Sequence, residues 1–171
     1  MAVASRETLI DFEFLRGWQN ESVVKELCIT NATAGETFRF KSPYNMADHC
    51  SSENGINWAY GHIEYKALHT VVTEALAGFD HLYAYGVSKV TFHSSLIGPT
   101  IHNLEDVDCP TPDSFNHKHW CNMPCHKFPK FACALKTAHS LYDWLMHYLQ
   151  TIHFVNCPSD MTRHTASFVS A

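Results

Sequence analysis

Residues 8–15, Thr8-Leu9-Ile10-Asp11-Phe12-Glu13-Phe14-Leu15, alternate apolar and acidic side chains with a period of two. That period belongs to a strand, in which Ile10, Phe12 and Phe14 share one face while Asp11 and Glu13 share the other. Such a strand must lay its apolar face on a core. It also sets two carboxylates side by side, roughly 7 Å apart along the backbone.

The pattern around this strand gives the rest of the order. A turn at Gly17, Gln19 and Asn20 precedes a second strand over residues 22–30, and a turn over 31–35 precedes a short third strand over 37–40. Sequential strands with tight turns imply an antiparallel meander. Ser42-Pro43 ends it, and residues 44–61 are polar and irregular. Leu68, Val71, Val72, Ala75 and Leu76 follow helical spacing within residues 64–77. Residues 81–85 read as a strand stopped by Gly86. Ser88 is the expected N-cap of a helix reaching about residue 97, closed by Gly98-Pro99. Residues 100–104 suit a fifth strand. Four prolines and no apolar period make 105–130 a long loop, and Ala134, Ala138, Leu141, Leu145 and Leu149 mark a final amphipathic helix through about residue 151. The order is β-β-β-α-β-α-β-loop-α, an α/β arrangement with a mixed sheet and helices packed on it. It forms one domain over residues 1–155, followed by a weakly patterned tail over 156–171.

Composition narrows the class of function. Lys and Arg total 12 against 17 Asp and Glu, a formal charge of −5. That balance disfavours a protein whose main task is gripping duplex DNA, which rests on neutralising phosphates. The 13 histidines offset some of it when partly protonated. Hydrophobic residues at 46% exclude a disordered chain. No stretch of about eighteen apolar residues is present to span a membrane. The first seven residues lack the basic start and apolar run of a signal peptide, so a cytoplasmic or nuclear location is expected. The seven cysteines are then read as thiols or metal ligands.

Two carboxylates on one strand face can hold Mg²⁺ or Mn²⁺ for phosphodiester cleavage. The pattern apolar-Asp11-apolar-Glu13-apolar, at the start of this element order, resembles the first motif of DEDD-type 3′–5′ exonucleases. The resemblance implies an RNase H-like fold with Asp11 and Glu13 as catalytic metal ligands. The second motif of that family corresponds to Ala84-Tyr85-Gly86-Val87-Ser88-Lys89-Val90-Thr91-Phe92, with Gly86 near the family's Asn and Lys89-Val90 where its Asp belongs. The third corresponds to Ala132-Cys133-Ala134-Leu135-Lys136-Thr137-Ala138, with Ala132 at the His and Thr137 at the Asp. His139 and Asp143 lie four apart on the last helix rather than at the family's spacing of five. Asp80, Asp106 and Asp108 occupy no motif position. The apolar skeleton of the family is present and half of its acids are absent.

Between the fifth strand and the last helix stand Cys109, His117, His119, Cys121, Cys125, His126 and Cys133. Zn²⁺ takes four such ligands tetrahedrally, and a metal would order so long a loop. The expected structural zinc set is Cys109, Cys121, His126 and Cys133, with Cys125 and His119 as replacements. No Glu lies beside these residues to act as a base, which argues against a catalytic zinc. Gly86, the Glu105 to Pro110 step, the Cys121 to Cys133 loop and the Leu141 to Leu145 segment also resemble a group of uncharacterised arthropod and mobile-element-associated proteins. The expected function is a catalytically degenerate exonuclease-like domain that binds nucleic acid or a protein partner. The alternatives are an active metal-dependent nuclease using Asp11 and Glu13, and a viral or mobile-element assembly component. Trp18, Trp58, Tyr60 and Tyr85 could stack bases, although aromatics at this density more often belong to a core.

Overall fold

The computed structural model describes residues 6–17, 19–45, 56, 58–98, 100–115 and 133–156. Its elements are β1 (Glu7–Arg16), β2 (Ser22–Thr30), β3 (Gly35–Arg39), α1 (Leu68–Leu76), β4 (His81–Ala84), α2 (Val87–Ile97), β5 (Ile101–Asn103) and α3 (Ala134–Asn156). They form one mixed sheet in the order β3-β2-β1-β4-β5. β1, β2 and β3 are mutually antiparallel neighbours, whereas β4 and β5 run parallel to β1. The expected sequence of strands and helices is the observed one. No helix among the described residues is long and apolar enough to cross a membrane.

Both faces of the sheet are covered. Ile10 and Phe12 of β1, with Val24, Leu27 and Ile29 of β2, pack beneath Leu68, Val72 and Leu76 of α1, and Phe92 and Leu96 of α2 join that core. On the other face, Leu9 and Cys28 meet Ala134, Ala138, Leu141 and Leu145 of α3. β1 is therefore the central plank, buried along most of its length. Only Glu7, Thr8 and Leu9 pair with β4. Beyond Leu9, the β4-side edge of β1 opens towards the start of α2.

Local chemistry sets the joints. Asn31 closes the β2–β3 hairpin, its Oδ1 accepting from the amides of Thr33 and Ala34 at 2.8 and 3.1 Å. β3 begins at Gly35, inside the stretch expected as a turn, because Gly35 pairs directly with Thr30. A Cβ at Gly35 would lie 2.7 Å from Nε2 of His139 on α3, so the bare glycine lets that helix approach. Helix α2 is capped by Gly86 rather than by the expected Ser88. Gly86 adopts φ +98°, a conformation that side chains resist, and its carbonyl accepts from the amides of Lys89 and Val90. The last helix runs on to Asn156, past the expected end near residue 151. Two short 3₁₀ turns, Leu104–Val107 and Pro112–Ser114, interrupt the start of the expected loop.

A register shift in the β1–β2 ladder pairs Glu13 with Glu26 but Phe14 with Val24, leaving Lys25 as the extra residue of a bulge. Its ammonium donates to the carbonyls of Phe40 at 2.6 Å and Trp58 at 2.9 Å and to Oγ of Ser42 at 3.0 Å. Three protons meet three acceptors, tying residues 40–42 and 58 to the sheet. Burial pulls this amine down to about 8.

His93 of α2 is 1% exposed and packs nearly edge-on against Phe12 with centroids 4.4 Å apart. Neither ring nitrogen has a hydrogen-bond partner among the described residues. Burial, reinforced by the charge of Lys89, pushes the imidazole down to about 3. Since the unfolded chain takes up this proton near pH 6.5 and the folded chain does not, stability should fall with pH from about 6.5 towards 3. The slope from this group approaches about 1.4 kcal/mol per pH unit. His93→Leu should remove that slope in urea titrations at pH 4, 5 and 6, and an unchanged pH dependence would refute the assignment.

Candidate functional site

The two acids of β1 point to the α3 side of the sheet. Asp11 is wholly buried and Glu13 is 6% exposed, so the face that the alternation leaves for solvent or metal is covered. Across the ladder Asp11 faces Cys28 and Glu13 faces Glu26, and Glu26 in turn faces Arg39 on β3. Arg39 Nη2 donates to Glu26 Oε1 at 3.2 Å inside the fold. From the other side, Lys89 in the first turn of α2 reaches over the open edge of β1. Its Nζ donates to Asp11 Oδ1 and lies 5.6 Å from the ring centroid of Phe12. A row of charged side chains thus crosses the molecule from Lys89 through Asp11, Glu13 and Glu26 to Arg39.

The first turn of α2 is held by three bonds that fix where Lys89 starts. The Gly86 amide donates to Asn103 Oδ1 at 3.0 Å, at the end of β5. The amides of Lys89 and Val90 both donate to the Gly86 carbonyl at 3.1 Å. Burial draws the Lys89 amine down, but the charges of Asp11 and Glu13 and the bond to Asp11 outweigh it, so the net shift is upward. Lys89 is a permanent ammonium at neutral pH. Burial lifts the Asp11 carboxyl above its usual range, with Lys89 pulling against that lift and Glu26 adding to it. Oδ2 of Asp11 has no hydrogen-bond partner among the described residues.

A divalent metal does not fit the pair as it stands. The Lys89 ammonium already takes one oxygen of Asp11, and a cation beside it would be repelled inside a covered face. Among the described residues no three His, Cys, Asp or Glu side chains converge as metal ligands. The other acids considered from sequence lie elsewhere. Asp80 pairs with Arg6 on the surface at 3.8 Å, Asp106 and Asp108 are exposed, and Asp143 lies on an exposed position of α3. His139 stands over the β2–β3 hairpin, with Nδ1 3.5 Å from Oγ1 of Thr30.

Of the expected zinc ligands, Cys109 is buried in the cluster beneath α3, and Cys133, just before that helix, is buried as well. Cys121 and His126, with the alternatives Cys125 and His119, lie outside the described residues. Burial pushes the Cys109 thiol up to about 12. Cys28 is pushed up to about 12 as well, by burial first and then by the nearby charges of Asp11, Glu26 and Cys133, against a bond to Thr37. Sequence reasoning placed Lys89 where an acid belongs but missed its contact with Asp11. It also missed the Glu26–Arg39 pair, which the bulge-adjusted register brings beside Glu13.

No protein-family model matches the chain, and no curated protein matches it either.

Removing the ammonium should strand the carboxylates. Lys89→Met should cost about 3–5 kcal/mol at pH 7, the usual penalty for an uncompensated buried charge. Without Lys89 the folded-state Asp11 binds its proton at a still higher pH, whereas the unfolded carboxyl waits until about 3.9. Stability of the variant, relative to wild type, should therefore recover as pH falls from 7 to 5. Urea melts at the two pH values read this, and a variant as stable as wild type at pH 7 would contradict it.

Proposed function

We propose that the chain is a catalytically silent RNase H-like domain of the DEDD exonuclease type, retained as a protein-interaction module. A meander followed by two parallel crossovers supports the fold assignment, with the acidic pair on the central strand where that family carries it. The observation that carries the functional reading is the ammonium of Lys89 seated on Asp11. Two-metal hydrolysis needs the carboxylates free to bridge cations, and here a side chain of the same chain neutralises Asp11. The acidic balance of −5 favours a protein partner over a nucleic-acid backbone.

The same proposal keeps a structural zinc in the loop over residues 105–133. The buried Cys109 and Cys133 would anchor it, and Cys121 and His126 would complete the set.

Two measurements test these readings. With a labelled oligonucleotide and Mg²⁺ or Mn²⁺, wild type and Asp11→Ala should give the same background cleavage. Asp11-dependent cleavage by wild type would sink the silent-domain reading. Elemental analysis of protein purified without chelator should give a single zinc per chain, and chelation should lower the melting temperature. Zinc near zero, with the thiols of the loop freely titratable, would remove the metal from the proposal.

A further inference from the structure

Helix α3 packs across β1, β2 and β3, and the other end of the sheet carries a pair of imidazoles on that same side. Tyr83 of β4 pairs with Leu9 of β1 and with His102 of the edge strand β5. The side chains of Tyr83 and His102 therefore stand on the Leu9 face, as does His81 two residues earlier. Leu82, Ala84 and Ile101, which alternate with them, fill the core on the opposite face. His81 and His102 are both exposed, and their ring centroids lie 6.0 Å apart. Tyr83 flanks His102 with centroids 5.2 Å apart and limits how far that ring can swing. Glu7 is the ladder partner of His81, and its charge, after burial, lifts the phenols of Tyr83 and of Tyr142 on α3. Two exposed imidazoles thus share a face in the field of a carboxylate, on strands that the sheet holds in register.

We propose that His81 and His102 form a two-imidazole site for a borderline dication of the Zn²⁺ or Ni²⁺ kind, separate from the loop zinc and from the acids of β1. Such ions favour imidazole nitrogen, whereas harder ions favour oxygen. Two imidazoles bound to one ion at about 2.1 Å place their ring centres roughly 5 Å apart. The observed 6.0 Å closes to that with a small turn of either exposed ring. Once one ring holds the ion, the other meets it at a high effective concentration, because adjacent parallel strands carry both. Neither ring has to leave a buried place to bind, so the ion displaces only water from them. The nearby charge of Glu7 favours a cation at this position. Among the described residues no third His, Cys, Asp or Glu converges with the pair, and water completes the shell.

The test is ¹H–¹⁵N correlation NMR of the full chain, purified without chelator, with substoichiometric Ni²⁺ as the probe. Paramagnetic broadening by Ni²⁺ is local, so it singles out these two histidines among the 13 in the chain. In wild type the amides of residues 81–83 and 101–103 should broaden together. His81→Gln and His102→Gln should each abolish that broadening on both strands at the same Ni²⁺ concentration, because a single imidazole holds the ion far more weakly than the pair. Both side chains are exposed, and unmoved amide signals elsewhere report that each variant keeps the fold. Sharp wild-type amides on both strands in the presence of Ni²⁺ overturn the proposal. Broadening around one histidine that survives substitution of the other overturns it too, since it reports independent imidazoles. Neither result bears on the oligonucleotide assay or on the zinc content of the loop, which test the silent-domain reading separately.

Discussion

The ion pair between Lys89 and Asp11 is the constraint on which the covered side of this sheet depends. Asp11 lies at the middle of the central strand, and α3 packs across β1, β2 and β3 on its side. A carboxylate with no exposure can remain ionised there only if a positive charge reaches it. Lys89 reaches it from the opposite layer, because β4 is short and leaves the edge of β1 open. The same logic repeats one strand over, where Arg39 compensates Glu26. Helix α3 can therefore lie on a face that carries three acids, because basic side chains arrive from both flanks.

That arrangement also connects the two cores. Lys89 sits one helical turn before His93, whose ring packs on Phe12 in the core beneath α1 and α2. The ammonium lies against the same Phe12 ring while its charge serves the α3 side. Charge and apolar packing thus meet at one residue of β1. The imidazole of His93 stays neutral partly because the neighbouring ammonium opposes a second charge.

The elements were legible in the sequence wherever a period could run for a turn or more. Alternation in β1 and β2 and the three- to four-residue spacing in α1 and α3 gave the element order, and with it the layered α/β plan. Joints were less legible, because they depend on neighbours in space. Gly35 reads as a turn residue yet starts β3, since its pairing with Thr30 and the approach of His139 are tertiary facts. Ser88 has the chemistry of a cap, but Gly86 two residues earlier has the backbone freedom, and the chain uses the glycine. The candidate site was legible as to which side chains share a face and illegible as to what covers that face. Period two places Asp11 beside Glu13 by geometry alone; it carries no information about α3 arriving on top or Lys89 arriving from the side.

Presence of the two acids on β1 is easily taken as a trace of chemistry, and the charge row supplies a different physical reason for them. Once a lysine occupies the position opposite Asp11, the carboxylates become necessary to the lysine. Its amine lies in a covered place, where loss of its acidic partners would leave an ammonium without compensation. Acid and base then hold each other in the fold, independent of any reaction. Replacing one member alone is costly in either direction. The pair is held in place for reasons of solvation alone.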